Sequence, residues 1–198
     1  MKRSGALMST FRLSIAILSL GTFLICAQNA SARVVAMSIK SNTPGPQILE
    51  LPGGARIQAN LPPGYRLGVL ALPQRNTYLF MGADNKNGEH AVMTVDILPS
   101  TAKLSSSKAV FDGVFKAYSV GTGDFKSAMS KPLSVNGITF EKANFEGTME
   151  GIRSKGFALV TRLAQGFCVM VGRDRETDFK QSEAKMLGIV NSCRLKSK

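Results

Sequence analysis

The side chains in this 198-residue chain that are able to do covalent or metal chemistry are few, and their scarcity already narrows the function. There are three cysteines, Cys26, Cys168 and Cys193, and a single histidine, His90. A metal centre built from several imidazoles is out of reach within one chain, and any Ser-His-Asp or Cys-His arrangement would have to pass through His90. That residue follows "DNKNGE", beside Glu89, which is the setting of an exposed loop histidine rather than a catalytic base. Glu141, Glu146 and Glu150 crowd one stretch, with Asp96 elsewhere. Two carboxylates brought together can divide the roles of acid and base. Glu141 and Glu146, however, stand an odd number of positions apart, which sends them to opposite faces of a regular strand. Solvated acids pairing with Lys142, Arg153 and Lys155 across a hairpin are the plainer reading.

Phosphate and metal loops fare no better. In "SVGTGDF", Gly121 and Gly123 lack the third glycine and the strand-to-helix setting of a nucleotide loop, and no GxxxxGK[ST] occurs. "DNKNGE" sets Lys86 where a calcium loop needs an oxygen. Met81, Met93, Met129, Met149, Met170 and Met186 are too dispersed for a copper site but supply soft packing, either for a core or for a small apolar ligand. No catalytic residue, metal site or cofactor is expected.

The chain's start says where these residues work. Lys2, Arg3 and Arg12 form a basic head, "LSIAILSLGTFLIC" is an apolar run too short to span a bilayer comfortably, and "ASA" ends at Ala32. This reads as a secretory signal over 1–32, preferred to an uncleaved anchor or to a lipoprotein signal at Cys26, which follows the bulky Ile25. The expected location is therefore periplasmic or secreted, with no transmembrane span after cleavage. Removing the leader takes three of the 25 basic residues and leaves 22 against 13 acidic ones, a formal charge of about +9. The lysines and arginines are scattered, with no block interleaved with aromatics, so nucleic acid is not an expected partner. Weak attraction to an anionic membrane surface is. Cys168 and Cys193 remain in an oxidising compartment.

The positioning elements follow from periodicity. Residues 33–47 run from apolar to Ser, Asn, Pro and Gly, a flexible lead-in, and residues 48–198 form a single α+β domain. "ARIQANLPPGYRL", "TYLFMGA" and "AVMTVDIL" predict an antiparallel meander turning at Pro62-Pro63-Gly64 and near Asn87-Gly88. After "SSS", residues Val110, Phe111, Val114, Phe115 and Tyr118 predict one apolar helix face. A loop from about Gly121 to Pro132 precedes "LSVNGITF", and "EKANFEGTM" slips in its alternation between Phe140 and Ala143 as a bulge would make it slip. Phe167 to Val171 is apolar throughout, as in a strand covered on both faces. Asp174 or Thr177 is placed to cap a last helix whose stripe is Phe179, Met186, Leu187 and Val190. A two-sided strand needs two covers, which predicts a central antiparallel sheet with a helix on each face.

This order of elements, with "LPPGY" after a first strand, "VNGITF" leading into long strands and a final "S-C-R-L", resembles the PsbP-like α/β/α sandwich superfamily over about Leu49 to Leu195. That superfamily includes PsbP, the Ran-binding nucleotide release factor and DcrB-type exported bacterial proteins. The resemblance implies a non-catalytic scaffold that binds other proteins or assists assembly, and it transfers no functional residues. The expected function is an exported protein that binds another envelope or secreted protein through a sheet edge, the 121–132 loop or the lead-in. The alternatives are a carrier of a small apolar or amphipathic ligand between helix and sheet, and a hydrolase of unknown type. From its position, Cys193 is expected to form a disulfide with Cys168 that ties the last helix's exit to the central strand. A reactive thiol activated by Arg194 is the competing use.

Overall fold

Two-residue alternation and β-branched or aromatic side chains build most of this chain into strands, and the apolar side chains decide how the strands stack. The computed structural model describes residues 37–50, 54, 56–72, 75–84, 88–99, 104–120, 123–149, 151–164 and 166–196. Residues 1–36, with Cys26 and the expected signal, and also Lys86, Asn87, Gly121 and Glu150, lie outside them. The elements are β1 (Met37–Ser41), β2 (Gly45–Glu50), β3 (Arg56–Leu61), β4 (Tyr65–Leu72), β5 (Arg75–Asp84) and β6 (Gly88–Pro99). Helix α1 (Ser107–Ser119) follows, then β7 (Lys126–Val135), β8 (Ile138–Met149), β9 (Ile152–Leu163), β10 (Gly166–Arg175), α2 (Phe179–Ser192) and β11 (Arg194–Lys196). Eight strands form one antiparallel sheet in the order β1-β4-β5-β6-β10-β9-β8-β7, and β11-β3-β2 form a second. The large sheet is two meanders joined centrally where β6 pairs with β10.

The expected α/β/α sandwich with a helix on each face is not the architecture. Strands dominate, the described residues hold two helices, and one face of the large sheet is covered by the second sheet together with α2. The reason is dimensional. Helix α2 has 14 residues, about 21 Å of length at 1.5 Å per residue. A sheet of eight strands is roughly 34 Å wide at about 4.8 Å between neighbours. One narrow stripe of Met186, Ile189 and Val190 cannot shield Tyr65, Leu67, Tyr78, Phe80 and Met93 as well, and Leu49, Ile57, Ala59 and Leu61 of β2 and β3 supply the rest. Tyr78 locks the two sheets: its hydroxyl donates to Glu50 O and accepts from Glu50 N, both at 2.7 Å.

On the other face, α1 lays Val110, Phe111, Val114 and Tyr118 over Leu98, Val160, Phe167, Val169 and Val171. Its start is capped by Ser106, whose side chain accepts from Ala109 N at 3.2 Å. Helix α2 is held differently. Asp178 at its cap position makes no side-chain cap bond, and the buried Ser182 donates instead to the buried Asp174 carboxylate, which also accepts from Arg175 N at 2.7 Å.

The connections between strands also differ from those expected. Pro62-Pro63-Gly64 makes a tight turn (Tyr65 N to Pro62 O, 3.1 Å; Gly64 φ 77°), but it carries the chain from the second sheet to the first instead of closing a hairpin. Within the stretch read as a lead-in, Met37–Ser41 pairs with β4 as an edge strand, and β2 begins at Gly45. Most of the expected 121–132 loop is strand β7. The β8–β9 ladder runs without a register shift, and the irregularity sits instead in β7 between Ser130 and Leu133, around Pro132. What slips in β8 is the covered face, since Phe140 joins the α2 side and Ala143 and Phe145 the α1 side.

The β7–β8 turn has the expected Asn-Gly chemistry, with Asn136 at φ 49° and Gly137 at φ 80°. Asn136 does more than turn. Its side-chain amide donates to Cys193 O at 2.7 Å and Asn191 O at 3.3 Å, fastening the exit of α2. Replacing it by Gly keeps the turn but loses both bonds, an expected cost of about 1 kcal/mol in urea unfolding. Asn136→Ala adds left-handed strain and is expected to cost about 1 kcal/mol more.

Candidate functional site

Cys168 and Cys193, the one pair expected to react, are both buried free thiols that line a common cavity of about 10 Å³ with Ile57, Val135, Phe140, Thr161 and Met170. Cys193 Sγ donates to Ile189 O at 3.3 Å. Burial pushes the Cys193 thiol up to about 12. Burial also raises Cys168, with smaller contributions from the nearby Cys193 and Asp96. Neither sulfur is a ready nucleophile in this setting. A ligand between sheet and cover would need far more room than a volume that holds at most one water.

The acids separate as their spacing predicts. Glu146 lies on the α2 side of β8, next to Lys126 of β7 and Lys155 of β9, whereas Glu141 is on the opposite face. Asp96 is fully buried in β6, where Thr77 Oγ1 donates to it at 3.4 Å. His90 joins β6 by its backbone, and its side chain lies outside the described ones. The six methionines divide among both faces and an edge, and Met170 alone of them lines the small cavity.

Around Glu146 the structure assembles a charge network at one end of the sheet. Arg153 reaches Asp124 (2.5 Å), Glu146 (3.5 Å) and Glu176 (3.4 Å), and Lys155 reaches Glu176 (2.8 Å) and Glu146 (3.9 Å). Asp124 also accepts from the N–H and the hydroxyl of Thr148, both at 2.8 Å. The Thr148 N–H is the main reason its carboxyl is held below the ordinary range, with Arg153 adding to it. The bond to Lys155 lowers Glu176, and the same bond raises Lys155. Beside the network Lys142, its side chain 15% exposed, pairs with Glu183 at 3.2 Å and lies over the Phe157 ring.

These groups frame a groove of about 360 Å³ between the outer strands and the start of α2. It is lined by Lys126 and Ala128 of β7, Asn144 and Glu146 of β8, Lys155 of β9, and Phe179 and Glu183 of α2. Its outer rim, β7, is a sheet edge exposed at each of its first seven residues. The other edge, β1, is half as long and irregular between Ile39 and Ser41, and its Lys40 side chain is turned back onto Ile48 O. Two of the stretches expected from sequence to dock a partner thus contain edge strands, at opposite ends of the large sheet: the lead-in holds β1 and most of the expected 121–132 loop is β7. The β7 edge was hidden in "KSAMSKPLSV", which lacks an apolar face. Its signals were the lysines and the proline that commonly mark an edge strand.

No family model matches this chain, and no curated protein matches it in sequence. Solved structures do match in fold. The Pseudomonas aeruginosa protein PA94, of unknown function, superposes with a TM-score of 0.50 at 10% identity, covering 78% of this chain and 99% of its own. LpqN, involved in cell envelope biogenesis of Mycobacterium tuberculosis, gives 0.46 at 10% identity over 83% and 93%. The cyanobacterial PsbP of Synechocystis sp. PCC 6803 gives 0.48 at 11% identity over 87% and 99%. A PsbP is thus among the solved proteins that this chain resembles, and the likeness is one of fold alone.

Proposed function

We propose that this is an exported, non-catalytic protein that binds or helps assemble another protein, and that the partner docks along β7 and its groove. The observation that carries this reading is the β7 edge itself: an outermost strand, regular over its first five residues and with backbone groups open to an added strand, beside a groove framed by polar side chains. The groups that chemistry would recruit are engaged elsewhere. Glu146 is committed to Arg153 and Lys155, and the thiols are raised and buried. The carrier reading is less well supported, since the space between sheet and cover near the thiols measures about 10 Å³. Export rests on the basic and apolar leader with its small-residue cleavage site.

The test is a photo-cross-linking amino acid at Ser127, with Lys108 on the exposed side of α1 as the control position. In the exporting cell, Ser127 is expected to yield one dominant adduct and Lys108 none. Equal adduct patterns from both positions, or none from Ser127, would overturn docking at β7. The mature chain recovered from outside the cytoplasm is expected to begin at Arg33.

A further inference from the structure

Resting on the β7 docking just proposed, we infer that the occupant is an extended segment of a partner protein in which acidic and apolar side chains alternate. Strand side chains alternate between faces, and an added strand continues the same pleat, so its residues fall alternately on the two sides already defined by β7. Lys126 pairs with Glu146 and Ala128 with Asn144 in the ladder, which puts them on the groove side. Met129 pairs with Ala143, which packs with α1 on the other side.

The two sides ask for different chemistry. On the groove side, Glu146 is held by Arg153 and Lys155, and Glu183 by Lys142. Lys126 has no ion-pair partner among the described residues, so it is the lining cation left to meet an incoming carboxylate. On the α1 side Met129 is 61% exposed, an apolar side chain that an added apolar neighbour would cover. The register irregularity after Ser130 and Pro132 limit the regular edge to Lys126–Ser130, which sets the length of the segment. A second copy of this chain is a poor occupant: β7 carries Lys126 and Lys131 and no acid, and pairing it with itself brings lysine toward lysine.

The test uses protein purified from the exporting cell and labelled peptides followed by fluorescence anisotropy. One peptide alternates Glu and Val, one alternates Lys and Val, and a third is the Glu-Val peptide N-methylated along one edge. The Glu-Val peptide is expected to bind about tenfold more tightly than the Lys-Val peptide, and more weakly as salt rises. N-methylation is expected to abolish binding, and Lys126→Glu to reverse the order of the two unmodified peptides. Met129→Ser, also at an exposed position, is expected to weaken the Glu-Val peptide about threefold. Equal binding of both peptides, an unchanged preference in Lys126→Glu, or Lys126-dependent binding only to phosphatidylglycerol vesicles would overturn the inference. Cross-linking separates this from failure of the docking edge. A Ser127 adduct on a partner segment without acidic residues removes the acidic strand and keeps the edge, whereas no adduct removes both.

Discussion

Gly156→Ala is expected to lower the stability of the domain by about 2–3 kcal/mol, a large share of a net stability of roughly 5–15 kcal/mol. Gly156 in β9 lies directly across from Phe145 in β8, and the phenyl ring occupies the space where a side chain would start. An added Cβ would sit 2.2 Å from Phe145 Cζ and 2.6 Å from Gly172 O, so a ring and a central-strand carbonyl must both give way. The ring is not free to leave, because it stacks on Tyr118 (5.2 Å between centroids) and Phe125 (5.9 Å) under α1. The same pairing recurs where Phe157 covers Gly172 and where Tyr65 covers Gly82. These aromatic–glycine pairs let bulky rings lie flat across a sheet that is covered on both faces.

Urea unfolding gives the check. The midpoint of Gly156→Ala is expected to fall without a change of slope, and combining it with Phe145→Leu is expected to cost less than the two single changes added together. Gly188→Ala supplies the opposite sign. It is exposed in α2 with nothing within 4 Å of the new methyl, and should raise stability by up to about 1 kcal/mol. An unshifted midpoint for Gly156→Ala would sink the packing account.

The second large effect concerns the thiols. A Cys168–Cys193 bridge, formed by exchange with a protein disulfide on export, is expected to make the oxidised form about 3–4 kcal/mol more stable than the reduced one in a loop-entropy account. Mass spectrometry of the non-reduced mature protein should show a loss of two hydrogens. Alkylation of both thiols in that protein after denaturation without reductant would rule the bridge out. Because both thiols are raised by burial, exchange is expected during folding, before the cavity around them closes.

The reduced form should also have a characteristic pH profile. Both thiols have folded values above their unfolded ones, so the unfolded chain loses its protons first as pH rises. Stability of the reduced protein is fully present below the ordinary value of 9.0 and declines from there toward about 12, where Cys193 titrates in the fold. Tyr65, pushed up from 10.0 to about 12 by burial and then by the Asp174 charge, adds to the decline in both forms. The bridged form keeps only the tyrosine part, so the gap between the two forms widens with pH.

Much of the fold was legible because neighbouring residues report it. The α1 face, the two-sided apolar strand β10, the Asn136-Gly137 turn and the opposed directions of Glu141 and Glu146 each follow from one local period, and each holds. The β7 edge was not, because a strand exposed on both sides has no apolar period to betray it. The site suffered for the same reason. Its groove joins residues from β7, β8, β9 and α2, and no spacing within one segment records that meeting.

Sequence alone carried the basic and apolar start from which export is expected, the scarcity of catalytic side chains, the alternation of strands and the helical stripes, since these depend on covalent order and on one or two residues' reach. Tertiary structure alone decided that a second sheet shares the cover with α2, and that "LPPGY" passes between sheets. It also left Lys126 open, by holding the groove's carboxylates elsewhere. Those outcomes turn on areas to be covered and on charges brought together from far along the chain. Both are settled only when the whole apolar surface competes for the same interior.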